Sequence, residues 1–229
     1  MILPILPILG AVAVAGGVVV SVLYYERRRR AALEEYCLIR GYRFERERPG
    51  TEAALAGTFG VFTQGHRRRW GATITGQVGG RPFTAFEYAY VTGGGKHSNH
   101  HRLTAMLWES AEANLPRFSL GPESFFHRMA QRFGKQDFDF EEDPEFSRAY
   151  QLQGDDERAV RALFTSTRRA MLMAEAPDGR RAPKHHLAGA GTRLLWWRDG
   201  RLPGPDDLDQ LIADGDRLRR LFMESREDA

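Results

Sequence analysis

Residues 73–91 read Thr73-Ile74-Thr75-Gly76-Gln77-Val78-Gly79-Gly80-Arg81-Pro82-Phe83-Thr84-Ala85-Phe86-Glu87-Tyr88-Ala89-Tyr90-Val91, and they constrain the architecture more tightly than any other part of the chain. Gly79-Gly80 between two strand-like runs is a strong signal for a two-residue hairpin, because the favoured tight turn asks for positive φ at both central positions. In the second run Phe86, Tyr88 and Tyr90 fall on one face, with Phe83, Ala85, Glu87, Ala89 and Val91 on the other. Gly93-Gly94-Gly95 opens a second turn, and Arg102 to Trp108 returns with Leu103, Ala105 and Leu107 alternating. Three consecutive antiparallel strands, a meander, are expected within residues 58–109.

Downstream, strands and helices mix. Phe118 and Leu120 mark a short strand, and Gly121-Pro122-Glu123 starts a helix to about Phe133, with proline at the first helical position. Asp143-Pro144-Glu145 repeats that chemistry for a short helix. Tyr150 to Gln153 reads as a strand, and Asp155-Asp156-Glu157 begins a helix carrying Val160, Leu163 and Phe164. A charged loop, Pro177 to Pro183, precedes a hairpin of Lys184–Leu187 and Thr192–Arg198. Gly204-Pro205-Asp206-Asp207 starts a last helix with Leu208, Leu211, Ile212, Leu218, Leu221 and Phe222 inward. This order of elements means α+β and not a parallel α/β sheet.

Met1 to Tyr25 carries no charged side chain, and a helix from Pro7 to Tyr25 would be roughly 28 Å long, close to the hydrocarbon thickness of a bilayer. Tyr24 and Tyr25 suit the membrane–water boundary, and Glu26 is followed by Arg27, Arg28, Arg29 and Arg30. Nothing basic but the amino terminus precedes the apolar run. The positive-inside rule therefore places the N-terminus outside and the rest in the cytoplasm, at the inner membrane. A cleaved signal peptide would want a basic n-region, although Ala13-Val14-Ala15 resembles a cleavage motif. A lipoprotein anchor is excluded because Cys37 lies beyond the apolar run. Gly10, Ala13, Gly17 and Ser21 form a small-residue stripe through which a membrane-protein partner could approach closely. The four arginines suit anionic headgroups, at about 1 kcal/mol each near the surface.

The chain divides into a transmembrane anchor (1–25), a juxtamembrane helix and connector (26–57), and a cytoplasmic α+β domain (58–229). The helix runs over 26–40 with Leu33, Tyr36 and Cys37 on one side and ends at Gly41; Arg43 to Gly50 is the connector. One cysteine in 229 residues leaves no intramolecular disulfide. A net charge of +3 without a dense basic face interleaved with aromatics argues against nucleic acid as a partner.

No catalytic, cofactor or metal signature survives inspection. Gly93-Gly94-Gly95-Lys96 fails as a phosphate loop, with Tyr90 and His97 where glycine and a hydroxyl residue belong. His97, His100 and His101 cluster in one turn, far from His185-His186, and would make a zinc site only if the two groups met. Asp137-Phe138-Asp139-Phe140-Glu141-Glu142-Asp143 fails as a calcium loop, since Glu142 replaces the turn glycine and Arg148 the bidentate acid. Alternation, with phenylalanines in and acids out, accounts for it. Gly65-His66-Arg67-Arg68-Arg69-Trp70 reads as a solvated inter-strand loop, the alternative being a segment that touches headgroups or an acidic partner.

Gly76-Gln77-Val78-Gly79-Gly80-Arg81-Pro82-Phe83, Phe86-Glu87-Tyr88-Ala89-Tyr90 and Thr92-Gly93-Gly94-Gly95-Lys96 resemble a family of uncharacterised bacterial single-pass membrane-anchored proteins. Phe125-Phe126-His127, Asp137-Phe138-Asp139-Phe140, Pro144-Glu145-Phe146 and Gly154-Asp155-Asp156-Glu157 are similar to the same group. The likeness spans about residues 70–200. It implies a domain of unknown function, with no assigned reaction and no catalytic residue to transfer. The expectation is a non-enzymatic interaction or accessory protein, as in a subunit of a bacterial membrane complex. The alternatives are a membrane-tethered metal-dependent enzyme and a lipid-headgroup-binding domain.

Overall fold

The computed structural model describes residues 5–47, 51–122, 136–174 and 186–224, apart from the side chains of 5–15, 51–53 and 136. The helix predicted from Gly121-Pro122 onward, the loop from Pro177 and the start of the hairpin at Lys184 fall wholly or mostly outside those residues.

The strands are β1 (Arg43–Glu45), β2 (His66–Val78), β3 (Arg81–Thr92), β4 (Asn99–Glu109), β5 (Leu115–Gly121), β6 (Gln136–Asp137), β7 (Gln151–Gly154), β8 (His186–Gly191) and β9 (Arg193–Asp199). They form one nine-stranded sheet in the order β1-β2-β3-β4-β9-β8-β5-β7-β6, and each pairing is antiparallel. The Gly79-Gly80 turn is as expected: φ is 56° and 74°, and Val78 pairs with Arg81. The meander β2-β3-β4 follows, with Tyr88 opposite both Trp70 and Leu103. β4 then pairs with β9, so the β8–β9 hairpin lies between the meander and β5.

Six helices accompany the sheet among the described residues: α1 (Ile5–Arg40), α2 (Thr51–Ala56), α3 (Pro144–Ala149), α4 (Glu157–Leu163), α5 (Ser166–Ala174) and α6 (Pro205–Met223). The caps are those the sequence chemistry calls for. Asp143 accepts from the Phe146 amide at 3.2 Å, and Asp156 from the Ala159 amide at 3.0 Å. Gly41 ends α1 with φ 68°, the left-handed conformation that closes many helices.

The sheet is buried on both faces. One face carries Ile74, Phe83, Ala85, Met106, Trp108, Leu194 and Trp196, and packs against Leu33 and Cys37 of α1, Leu208, Leu211 and Phe222 of α6, and the α3–α5 layer. The other carries Trp70, Phe86, Tyr88, Tyr90, Leu103 and Trp197, under Leu55, Phe59, Val61 and Phe62. Phe62 meets Tyr88 edge-on at 5.0 Å, and Trp70 lies 4.3 Å from Phe86. The alternation assigned to residues 83–91 is thus the partition of the two cores.

Three local expectations are corrected. Residues 43–45 are not connector but an edge strand on β2. Leu55, within the segment assigned to juxtamembrane helix and connector (26–57), is buried and caps the second core. The basic stretch from His66 is the opening of β2, bulged between His66 and Arg69 with Arg67 at φ 51°.

Candidate functional site

α1 is continuous for 36 residues, yet its environment changes abruptly along its length. Val18, Val19, Val20, Val22, Leu23, Tyr24 and Tyr25 are each more than half exposed, on every side of the helix. From Arg29 onward the same helix packs on the sheet, with Leu33 fully buried and Cys37 1% exposed. Burial pushes the Cys37 thiol up to about 11. Of the ten large hydrophobics exposed among the described residues, these seven belong to one helical segment. That concentration is an unpartnered apolar rod and not ordinary surface scatter. Among the described residues no helix is long and apolar enough to cross a membrane. The described side chains begin at Gly16, so residues 1–15, with most of the apolar run, lie outside that statement.

The rod meets the domain through a polar clamp. Glu87, on the α1 side of β3, accepts from Arg29 Nη2 at 2.5 Å and from the Leu202 amide at 3.0 Å. Arg29 also donates to the Leu202 carbonyl, and Glu26 pairs with Arg201 and, at 3.7 Å, with Arg29. Gly71, on the neighbouring strand, makes room for this carboxylate: a Cβ there would stand 3.0 Å from Glu87 Cβ. Farther along, Tyr36 and Arg40 both engage Asp209 of α6. Burial and the Asp209 hydrogen bond hold the Tyr36 phenol well above its ordinary value. At the end of the helix Tyr42 packs edge-on against Phe83 at 5.3 Å.

The four arginines expected at the membrane surface therefore separate. Arg27, Arg28 and Arg30 are exposed, Arg28 stacking over Tyr24 at 6.0 Å. Arg29, with a side chain 11% exposed, is committed to Glu87. Sequence reading missed Glu87; its one signal was a lone acid on an otherwise apolar strand face. Of the small-residue stripe, Gly17 and Ser21 are exposed, and a Cβ at Gly17 would meet nothing within 4 Å. Gly10 and Ala13 lie where only the helical backbone is described.

The acidic run is structural where it is described. Phe138 and Phe140 are buried and Asp137 and Asp139 exposed. Asp137 accepts from the side-chain amides of Gln151 and Gln153, at 2.6 and 2.7 Å. Asp143 and Glu142 grip the buried Arg169, at 2.9 and 3.2 Å, and its guanidinium lies 4.0 Å over the Phe140 ring. His101 stacks on Tyr90 at 4.7 Å and hydrogen-bonds Thr92. His186 stacks on its register partner Trp197 at 5.0 Å, two strands and four residues away from His101. His185 lies outside the described residues. Among those described, no three His, Cys, Asp or Glu side chains are gathered as a metal set.

On the second sheet face a cavity of about 120 Å³ is lined by Leu55, Trp70, Thr73, Thr84, Phe86 and Leu107, beside the Glu109–Arg193 pair at 2.5 Å. No protein-family model, curated protein or solved structure matches the chain.

Proposed function

We propose that the chain is a membrane-anchored, non-enzymatic accessory protein, held at the inner face of a bacterial membrane and serving a larger membrane complex. The observation that carries this reading is the change of environment along α1: apolar and exposed through Tyr25, then clamped to the sheet from Arg29. Leaving an apolar rod of this kind in water would be costly, at about 25 cal/mol per Å² of apolar surface, and lipid removes that cost. Arg27, Arg28 and Arg30 stand at the boundary where headgroups would meet them. The kinship with bacterial membrane-anchored proteins belongs to the same proposal, as does the approach of a partner helix along Gly10, Ala13, Gly17 and Ser21.

Topology tests it. The chain should stay with membranes in alkaline carbonate, a C-terminal phosphatase fusion should be inactive, and a C-terminal fluorescent fusion should be bright. An active phosphatase fusion would overturn the orientation; carbonate extraction would overturn the anchor.

A further inference from the structure

The clamp fixes which end of the domain looks along the rod. Tyr42 lies level with Phe83 and Gly76, whereas Arg29 lies level with Glu87. Moving toward the N-terminus of α1 is therefore moving toward the Thr92 end of β3. Over the eleven residues from Arg40 back to Arg29 the helix advances about 17 Å, and from Phe83 to Glu87 the strand advances about 13 Å, in the same sense.

That end of the sheet is basic. The register aligns Arg69 of β2, Ala89 of β3 and Arg102 of β4 in one row, and the Gly200 amide after β9 bonds the Arg102 carbonyl at 2.9 Å. Beyond the row lie Arg67 at the bulge and Lys96 in the β3–β4 turn, both exposed like Arg69 and Arg102. Arg68 is spent locally, donating to the carbonyls of Thr63, Gln64 and Gly65 and so stiffening the loop that carries Arg67. Among the described residues of these strand ends, Asp199 is the exposed acid outside the clamp. The opposite end, at the β8–β9 turn, mixes Arg81 and Arg193 with Glu109 and Glu112, which they pair.

The geometry points to a second membrane contact: the Thr92 end of the sheet, through Arg67, Arg69, Lys96 and Arg102, rests on the anionic headgroups of the bilayer that holds α1. The inference rests on the anchored reading and adds a defined orientation to it, with the domain lying against the lipid surface and not swinging on its helix. Lipid is the occupant favoured over a polyanion such as RNA because the cations lie at the end toward which the rod points, and no stacking aromatic is exposed among them: Trp70 and Tyr90 are buried. Each cation near an anionic surface is worth about five-fold in the contact equilibrium, so four together give several hundred-fold.

The test uses the full chain in nanodiscs, one set of phosphatidylcholine alone and one with a quarter phosphatidylglycerol, both doped with a headgroup spin-labelled lipid. A fluorophore is attached at Ser98→Cys in the β3–β4 turn, or at Thr192→Cys at the opposite end. Cys37 is buried and stays unlabelled. The expected result is quenching at position 98 in the anionic discs, weak quenching in the neutral ones, and none at position 192. Replacing Arg67, Arg69, Lys96 and Arg102 together by glutamine should abolish the effect, as should high salt on the chain labelled at position 98 with all four cations in place. Equal quenching in both lipids, or no response to salt, overturns the inference; so does quenching that a short RNA abolishes at equimolar amounts. Carbonate extraction would instead sink the anchored reading, and this contact with it.

Discussion

Replacing Glu87 by alanine tests whether α1 is clamped to the sheet or merely lies on it. The Glu87 and Arg29 side chains are 15% and 11% exposed, between the surface regime, where ion pairs contribute up to about 1 kcal/mol, and the buried regime, where removing one partner costs about 3–5 kcal/mol. Glu87→Ala removes the acceptor of two hydrogen bonds and leaves Arg29 facing Glu26 at 3.7 Å as its remaining acid. A loss of about 2–3 kcal/mol is expected, and about 1 kcal/mol for Glu87→Gln, which keeps the shape and the Leu202 contact. The assay is urea unfolding of the full chain in neutral detergent, followed by the fluorescence of the buried Trp108 and Trp196. A double-mutant cycle with Arg29→Ala isolates the pair, and its coupling should be about 1–2 kcal/mol. Coupling below about 0.3 kcal/mol would place the pair in the surface regime and refute the clamp.

Three further outcomes are expected. Asp137→Asn with Asp139→Asn should cost about 0.5 kcal/mol per site, because the Gln151 and Gln153 amides have an oxygen left to donate to; a metal-dependent rise in melting temperature lost in the variant would overturn the structural reading. Cys37, its thiol raised from 9.0 to about 11 by burial, should resist maleimide in the native chain. Its contribution to stability should be full below pH 9 and lost as pH climbs toward 11, since the unfolded thiol ionises first. Rapid native labelling would contradict the packing of α1. Gly17→Leu should preserve insertion but weaken association through the stripe, with Val18→Leu as the matched control; equal recovery of partner from both after mild solubilisation would show the stripe to be passive.

The parts of this fold legible in the sequence are those whose cause is local. The Gly79-Gly80 turn, the alternation through Tyr90, the Asp143 and Asp156 caps and the apolar face of α6 each depend on residues a few positions apart. What was not legible depends on distant partners. β9 pairs with β4 across more than eighty residues, and nothing in either strand names the other. Arg43 to Glu45 is too short and too charged to read as a strand; it becomes one because β2 offers a free edge. His66 to Arg69 hid the start of β2 because a bulge breaks its alternation. At the candidate site, the exposed Arg27, Arg28 and Arg30 were readable as a charge run. The diversion of Arg29 inward was not, since it is Glu87, fifty-eight positions away, that selects it.

The helix α1 has no break between the exposed segment and the clamped one. The exposed segment and the domain therefore share a single helical phase. A residue inserted between Tyr25 and Arg29 would turn one against the other by about 100° and lift the domain about 1.5 Å, and four residues would nearly restore the azimuth at a height of about 6 Å. A flexible tether would be indifferent to such changes. Here the exposed segment acts as an axle, so that a twist or tilt imposed on it reappears as a rotation of the whole sheet.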